Sequence, residues 1–280
     1  MLHRIDTRNP RAVQNRAEEV YRTMFPGEDG AFVPRAFEWA GQCFAGSGDY
    51  QPIDAGYHDF EHTMQGTLCL ALLLEGRHSA QAGPRVTPKM FELGLLAILL
   101  HDTGYLKKKG DTEGTGAKYT LVHVTRSVAF AGEFLTSKGF SQPDVRAVQN
   151  MIGCTGVNAD VRLIPFQSEL EKVLGFALAT ADLLGQMAAE DYVRKLPILY
   201  QEFAEAARSG AESGQRVVPF NSAEDLMRKT PWFWKEYVRP RVERDFGGLY
   251  RFLNDPYPHG PNIYMQRIEA HIAELRGRFG

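Results

Sequence analysis

The sequence predicts an all-α fold. Helical hydrophobic periodicity dominates its 280 residues, and no long stretch of alternating β-branched residues suggests a sheet. Glycine and proline clusters fall where helices should end: Gly76 through Pro88, with Gly83-Pro84 inside it, then Gly110 to Gly116, then Asp255-Pro256-Tyr257-Pro258.

Periodicity places the first two helices over 9–24 and 34–45 and the third over 57–75, where the first glycine stop follows. The fourth, 88–102, carries the apolar run Leu93-Gly94-Leu95-Leu96-Ala97-Ile98-Leu99-Leu100 and closes on His101-Asp102, with Thr103-Gly104 beyond it. After the second stop come 118–138 and 142–152. Then 166–188 contains the small and apolar stretch Leu178 to Met187, and 190–209 precedes the flexible-looking Ser209-Gly210-Ala211-Glu212-Ser213-Gly214-Gln215. The last two helices are 231–246, opening on Pro231-Trp232-Phe233-Trp234-Lys235-Glu236-Tyr237, and 262–277. None of the breaks is long enough for an interdomain tether, and no internal repeat is visible. The expectation is one domain over 1–280, with a core at 57–190 and a helical cap or flank at 210–280.

A chain of this length can bury a sizeable core without staples. Its three cysteines, Cys43, Cys69 and Cys154, are odd in number and form no C-x-x-C pair, which suits a reducing, cytoplasmic setting. The start lacks a secretory apolar region, and no apolar run approaches the ~20 residues of a spanning helix. Net charge is −2 with both signs mixed along the chain, so no footprint for long nucleic acid is present. Small anionic substrates remain compatible with local charge; oligomeric state is left open.

The residues that carry chemistry are imidazoles and carboxylates. His58 and His62, in Tyr57-His58-Asp59-Phe60-Glu61-His62, are four apart, and on one helix they would project from one face. His101 and Asp102 are delivered to the edge of a buried layer, where leaving them without partners would be costly. Asp182 stands alone within an otherwise apolar helix and wants a cation. Mixed His and Asp donors suit Zn, Mn, Fe or Ni, whereas Mg prefers all-oxygen surroundings.

Taken in this order, these residues resemble the HD-domain metal-dependent phosphohydrolases, a superfamily marked by His…His-Asp…Asp on an all-helical bundle. Tyr57-His58-x-x-x-His62 is most similar to the subset that includes the cyclic-nucleotide phosphodiesterases, and the resemblance covers residues 57–190. It implies that His62, His101, Asp102 and Asp182 hold a first divalent ion and that His58 is a general acid. It further implies that Asp102 can bridge to a second ion, ~3.5–4 Å away, with His123 as candidate ligand. Two positions depart from the pattern. Tyr105 stands where the phosphodiesterases keep a histidine and a cyclic-di-nucleotide branch a lysine, and Cys154 stands where many dinuclear members have a further histidine.

The function these readings imply is hydrolysis of a phosphodiester or nucleotide phosphate by water activated on one or two metal ions, with Asp102 and His58 central to catalysis. Tyr57, Lys107 in Lys107-Lys108-Lys109-Gly110, and Gln186, one turn beyond Asp182, are the candidate substrate contacts. Pro231–Tyr237 reads as core packing, with a base-stacking wall as the alternative. His3, His78, His259 and His271 carry no usable context. Three other functions stay open: a phosphomonoesterase or nucleotide pyrophosphohydrolase of the same superfamily, a di-iron oxygenase on the same fold, and a sensing module with a bound metal.

Overall fold

A computed structural model describes residues 5–157, 159–212 and 220–279. They form ten α-helices and no strand, with only isolated bridges at Tyr50–Lys108 and Asn254–Asn262. The helices are α1 (Pro10–Met24), α2 (Phe32–Phe44), α3 (Phe60–Ser79), α4 (Pro88–Leu100), α5 (His123–Ser137), α6 (Gln142–Gly153), α7 (Glu169–Met187), α8 (Tyr192–Glu212), α9 (Ala223–Phe233) and α10 (Ile263–Phe279). Among the described residues, no helix is long and apolar enough to cross a membrane. The three cysteines are free and buried.

One apolar core runs from Val13 on α1 to Leu275 on α10. Its centre is α3 lying along α7, flanked by α1 and α4. The two axes approach closely because glycines meet at the crossing: a Cβ on Gly185 would stand 2.7 Å from the Gln65 carbonyl oxygen and 2.9 Å from the Gly66 nitrogen. α4 is sheathed on every side, Leu93 through Leu100 being buried, so its end is anchored deep in the bundle. Thr87 caps its start by accepting from the Met90 amide, with Pro88 in the first turn, where no amide is needed.

Several expected boundaries move. α3 starts at Phe60 because the Asp59 carboxylate caps it, accepting from the His62 amide at 2.8 Å. His58 is thus in the preceding loop and does not share a helix with His62. α5 starts at His123, after a 3₁₀ turn at Gly116–Tyr119. The expected helix over 231–246 is the end of α9, itself capped by Ser222, followed by π-helical turns at Trp234–Val238 and Arg241–Asp245 on either side of Pro240, which has no amide to donate. Of the expected linker, Ser213–Gln215 lies outside the described residues, as does His3.

Candidate metal centre

Two helix ends and the interior of a third helix converge on a buried point. His62 comes from the first turn of α3, His101 caps α4 and Asp102 follows it, and Asp182 comes from α7 next to the glycine crossing, where a Cβ on Gly66 would be 3.8 Å from the Asp182 Cα. His62 Nε2 lies 3.2 Å from both Asp102 Oδ2 and Asp182 Oδ1. His101 Nε2 lies 3.3 and 3.4 Å from the same two oxygens. One donor atom each from His62, His101 and Asp182 falls within 4.8 Å of the others, and the same holds for His58, His62 and Asp102.

The hydrogen bonding around these groups points inward. His101 Nδ1 lies 2.7 Å from the Ile98 carbonyl, His123 Nδ1 2.6 Å from that of Thr120, and His58 Nδ1 2.5 Å from Glu202 Oε2. The Ile98 and Thr120 carbonyls fix the ring protons of His101 and His123 on Nδ1 and leave their Nε2 lone pairs facing the carboxylates. Lone pairs facing lone pairs repel unless a cation lies among them. His101 Nε2 and Asp102 Oδ2, both buried, make no hydrogen bond, a costly arrangement that a shared ion would relieve. The donor set therefore fits a metal ion, which His62, His101 and Asp182, with Asp102 beside them, could hold.

The electrostatics agree. Burial alone would lower the His62 pKa, yet the Asp102 and Asp182 carboxylates overcome it and raise it to about 10. His101 is raised by the same carboxylates against burial. Burial would raise Asp102 and Asp182, but the adjoining imidazoles hold both below the usual carboxylate range. Four groups so arranged hold positive charge in the form of protons when no other cation is present.

His123 stands at the margin, its Nε2 3.9 Å from Asp102 Oδ1. It gets there because α5 docks on the turn after Asp102: a Cβ on Gly104 would overlap the His123 carbonyl at 1.9 Å, and the Gly104 amide donates to Ser127 Oγ at 2.8 Å. Burial lowers the His123 pKa, so it is a neutral donor at ordinary pH. Tyr105 is fully buried and stacks on both His58, at 4.5 Å, and His123, at 4.7 Å. Its phenol, raised well above 10 by burial and then by Asp102, is a neutral wall of the site. Cys154 belongs to the apolar core, its thiol donating to the Asn150 carbonyl and raised by burial to about 12. It joins neither donor group.

The expected substrate contacts are engaged elsewhere. Lys107 is buried, pairing with Asp54 at 2.9 Å and donating to the Gly114 carbonyl at 2.7 Å, so its ammonium braces the glycine-rich loop; Lys108 and Lys109 are exposed. The Tyr57 hydroxyl donates to Gln186 Oε1 at 3.0 Å, and Gln186 Nε2 donates to the Asp182 carbonyl at 3.2 Å. Gln186 Nε2 also donates to Asp182 Oδ1 at 3.4 Å, so Tyr57 and Gln186 brace the Asp182 carboxylate. Trp234 is core, bonded to Glu269, while Trp232 is exposed. His78 and His259 are exposed, and His271 bonds the Met187 carbonyl.

Sequence reasoning placed a helix over 190–209 but missed the part α8 plays at the site. Lys195, Glu202 and Glu205 recur along one face of it. Lys195 pairs with Asp59 and Glu61, Glu202 holds the Tyr57 amide and the His58 ring, and Glu205 accepts from the Thr115 amide and hydroxyl. Glu202 stays ionised: burial would raise it, but His58 and the amides of Tyr57 and His58 bring it below its ordinary value. The only available signal was acids at helical spacing, which solvent-exposed helices also show.

Residues 18–252 match the family described as Npun_R2479-like. No curated protein matches the chain.

Proposed function

The chain belongs to the Npun_R2479-like family; from the geometry of the centre we propose that it is a metal-dependent hydrolase of phosphoesters, acting on a phosphodiester or a nucleotide phosphate. The observation that carries the reading is the convergence of His62, His101, Asp102 and Asp182, with Nε2 and carboxylate oxygens 3.2–3.4 Å apart and pointing at a shared centre. Two imidazoles and two carboxylates suit a zinc, manganese, iron or nickel ion better than magnesium. When bound, such an ion supplies a water of lowered pKa and positive charge for the nonbridging phosphoryl oxygens.

The protein's own residues account for orientation and proton movement. Gln186, backed by Tyr57, donates to Asp182 Oδ1 at 3.4 Å and steadies its carboxylate, and Ile98 fixes the rotamer of His101. His58 is the proton donor to the leaving oxygen: the ionised Glu202 holds Nδ1, steadies a proton on the ring, and turns Nε2 toward the Asp102–His62 side of the site. Its loop position, tied by Lys195 to the α3 cap and by Glu202 to α8, makes it a group that meets substrate while the more deeply buried His62 meets the ion.

The test is metal content of protein purified without added metal, for wild type and Asp102→Ala, paired with a panel of cyclic nucleotides, nucleoside monophosphates and triphosphates. Wild type is expected to carry metal and turn over one class, with both lost in the variant. An Asp102→Ala protein that keeps full metal and activity would overturn the proposal, and turnover confined to monophosphates or triphosphates would move it to a phosphomonoesterase or pyrophosphohydrolase.

A further inference from the structure

A groove of about 1330 Å³ lies between the loop after α6, the first half of α7 and the π-helical turn at Arg241–Asp245, and no residue of the metal centre lines it. Its apolar side is formed by Ile164, Phe166 and Phe176, all half-buried. Phe166 meets Phe176 edge-on at 6.0 Å, and Phe176 in turn backs onto the buried Phe246 at 5.8 Å. The rings that face the groove are therefore held by the core behind them, while their front edges are uncovered.

The acids of the groove are committed to two of its cations. Asp160 pairs with Arg162 at 2.7 Å and Glu169 with Lys172 at 3.5 Å. Arg162 is raised by Asp160 first and by Asp245 at longer range, and Asp160 is lowered chiefly by Arg162 and by Arg241 only at longer range. Glu243, beside the turn, pairs with Arg239. Arg241 and Arg244 thus line the groove with no carboxylate partner among the described residues. Arg241 is half-buried and is fixed without an acid: its guanidinium lies 5.1 Å from the Phe246 ring and 5.4 Å from the Tyr237 ring, and it donates to the Ala159 carbonyl at 3.1 Å. The rings hold its plane and the carbonyl uses one N–H, so its charge and its other donors are set in place with nothing to neutralise them. A bound oxyanion completes such an arrangement.

We propose that this groove is a second binding site, separate from the metal centre, for a small organic oxyanion: a carboxylate or a phosphate-like group carried on an aromatic body. The oxyanion meets Arg241 and Arg244, and the body lies against Ile164, Phe166 and Phe176, an apolar lining with a few convergent polar groups of the kind that fixes small ligands. The site shares no residue with the centre, so it stands whether or not the centre hydrolyses phosphoesters.

Calorimetric titration of 2-naphthoate, 2-naphthylphosphonate, neutral 2-naphthol and acetate into the full chain separates the two halves of the ligand, and none of the four is an ester. At least one naphthyl anion is expected to bind about tenfold or more tightly than both naphthol and acetate, and the tighter of the two anions assigns the oxyanion. Arg241→Gln with Arg244→Gln should cut that affinity by about tenfold, with melting temperature as the check on folding. Should the loss of the stacked Arg241 disturb the fold, Arg244→Gln alone, at an exposed residue, should still weaken binding about threefold. Chelated wild type and Asp102→Ala should bind as tightly as untreated protein. Naphthol binding as well as the anions, acetate binding as well as naphthoate, or an unchanged affinity in folded arginine variants would overturn the proposal. Loss of binding on chelation or in Asp102→Ala would also overturn it, by placing the anion on the metal centre.

Discussion

Gly185→Ala tests whether the α3–α7 crossing sets the metal centre. The added methyl would sit 2.7 Å from the Gln65 carbonyl oxygen, 2.8 Å from its carbon and 2.9 Å from the Gly66 nitrogen. All three are backbone atoms, so no side chain can rotate aside, and the helices must part by about 0.7 Å to restore ordinary contact near 3.4 Å. Overpacking of this kind costs about 1–3 kcal/mol, which for a chain of this size lowers the melting temperature by about 2–10 °C. The same displacement separates His62 on α3 from Asp182 on α7, now 3.2 Å apart, and should weaken metal binding about 10–100-fold, the range seen when ligand-orienting contacts are lost. Gly41→Ala is the control: it lies in α2 with nothing within 4 Å of its Cβ position, and the change should be neutral or stabilising by up to about 1 kcal/mol. Thermal melts with chelator and metal titrations read the two effects. A Gly185→Ala protein with wild-type melting temperature and metal affinity would refute the reasoning.

Other perturbations separate the roles within the site. Glu202→Gln should retain metal yet lower kcat by about 10–100-fold and alter the pH profile, because the ionised partner of His58 is gone; an unchanged profile would remove Glu202 from proton transfer. His58→Asn should hurt substrates with alkoxide leaving groups more than activated phenolates, and equal losses would argue against a proton donor. In metal-free protein the raised His62 pKa means that its pairing with the carboxylates contributes fully to stability below the ordinary 6.5 and is lost as pH rises through about 10. The depressed Asp102 and Asp182 describe the same pairing from the acid side, lost as pH falls below the carboxylate range. Chelated protein should therefore melt progressively lower from pH 7 to 10, and a flat dependence would show that His62 is not paired. Because metal must displace those protons, calorimetry at pH 7 in buffers of different ionisation enthalpy should show proton release on binding, and none would contradict the charged apo state.

The residues of the centre were legible because each is out of place locally: Asp182 interrupts an apolar helix, and His101-Asp102 ends one so apolar that its terminus had to be buried. Their convergence into one group required only that these helices share a core. Lys107, Tyr57 and Gln186 could not be judged the same way, since a lysine after a ligand turn has one appearance whether it faces a substrate or, as here, Asp54. The position of His58 was misjudged for a physical reason: H-x-x-x-H spacing is compatible with a helix, but the intervening Asp59 caps the helix at Phe60 and leaves His58 outside.

The all-helical class and the set of imidazoles and carboxylates near the core were determined by sequence alone, because periodicity and the cost of burying an unpaired polar group act over a few residues. Tertiary structure decided which partner each group has. Glu202 reaches His58 across 144 positions of chain, Gly185 admits α3 close enough for His62 to meet Asp182, and Tyr105 stacks on His58 and His123 in a place where a ligand was conceivable. Each depends on how helices cross, and crossing geometry is set by the packing of the whole core rather than by any local pattern of residues.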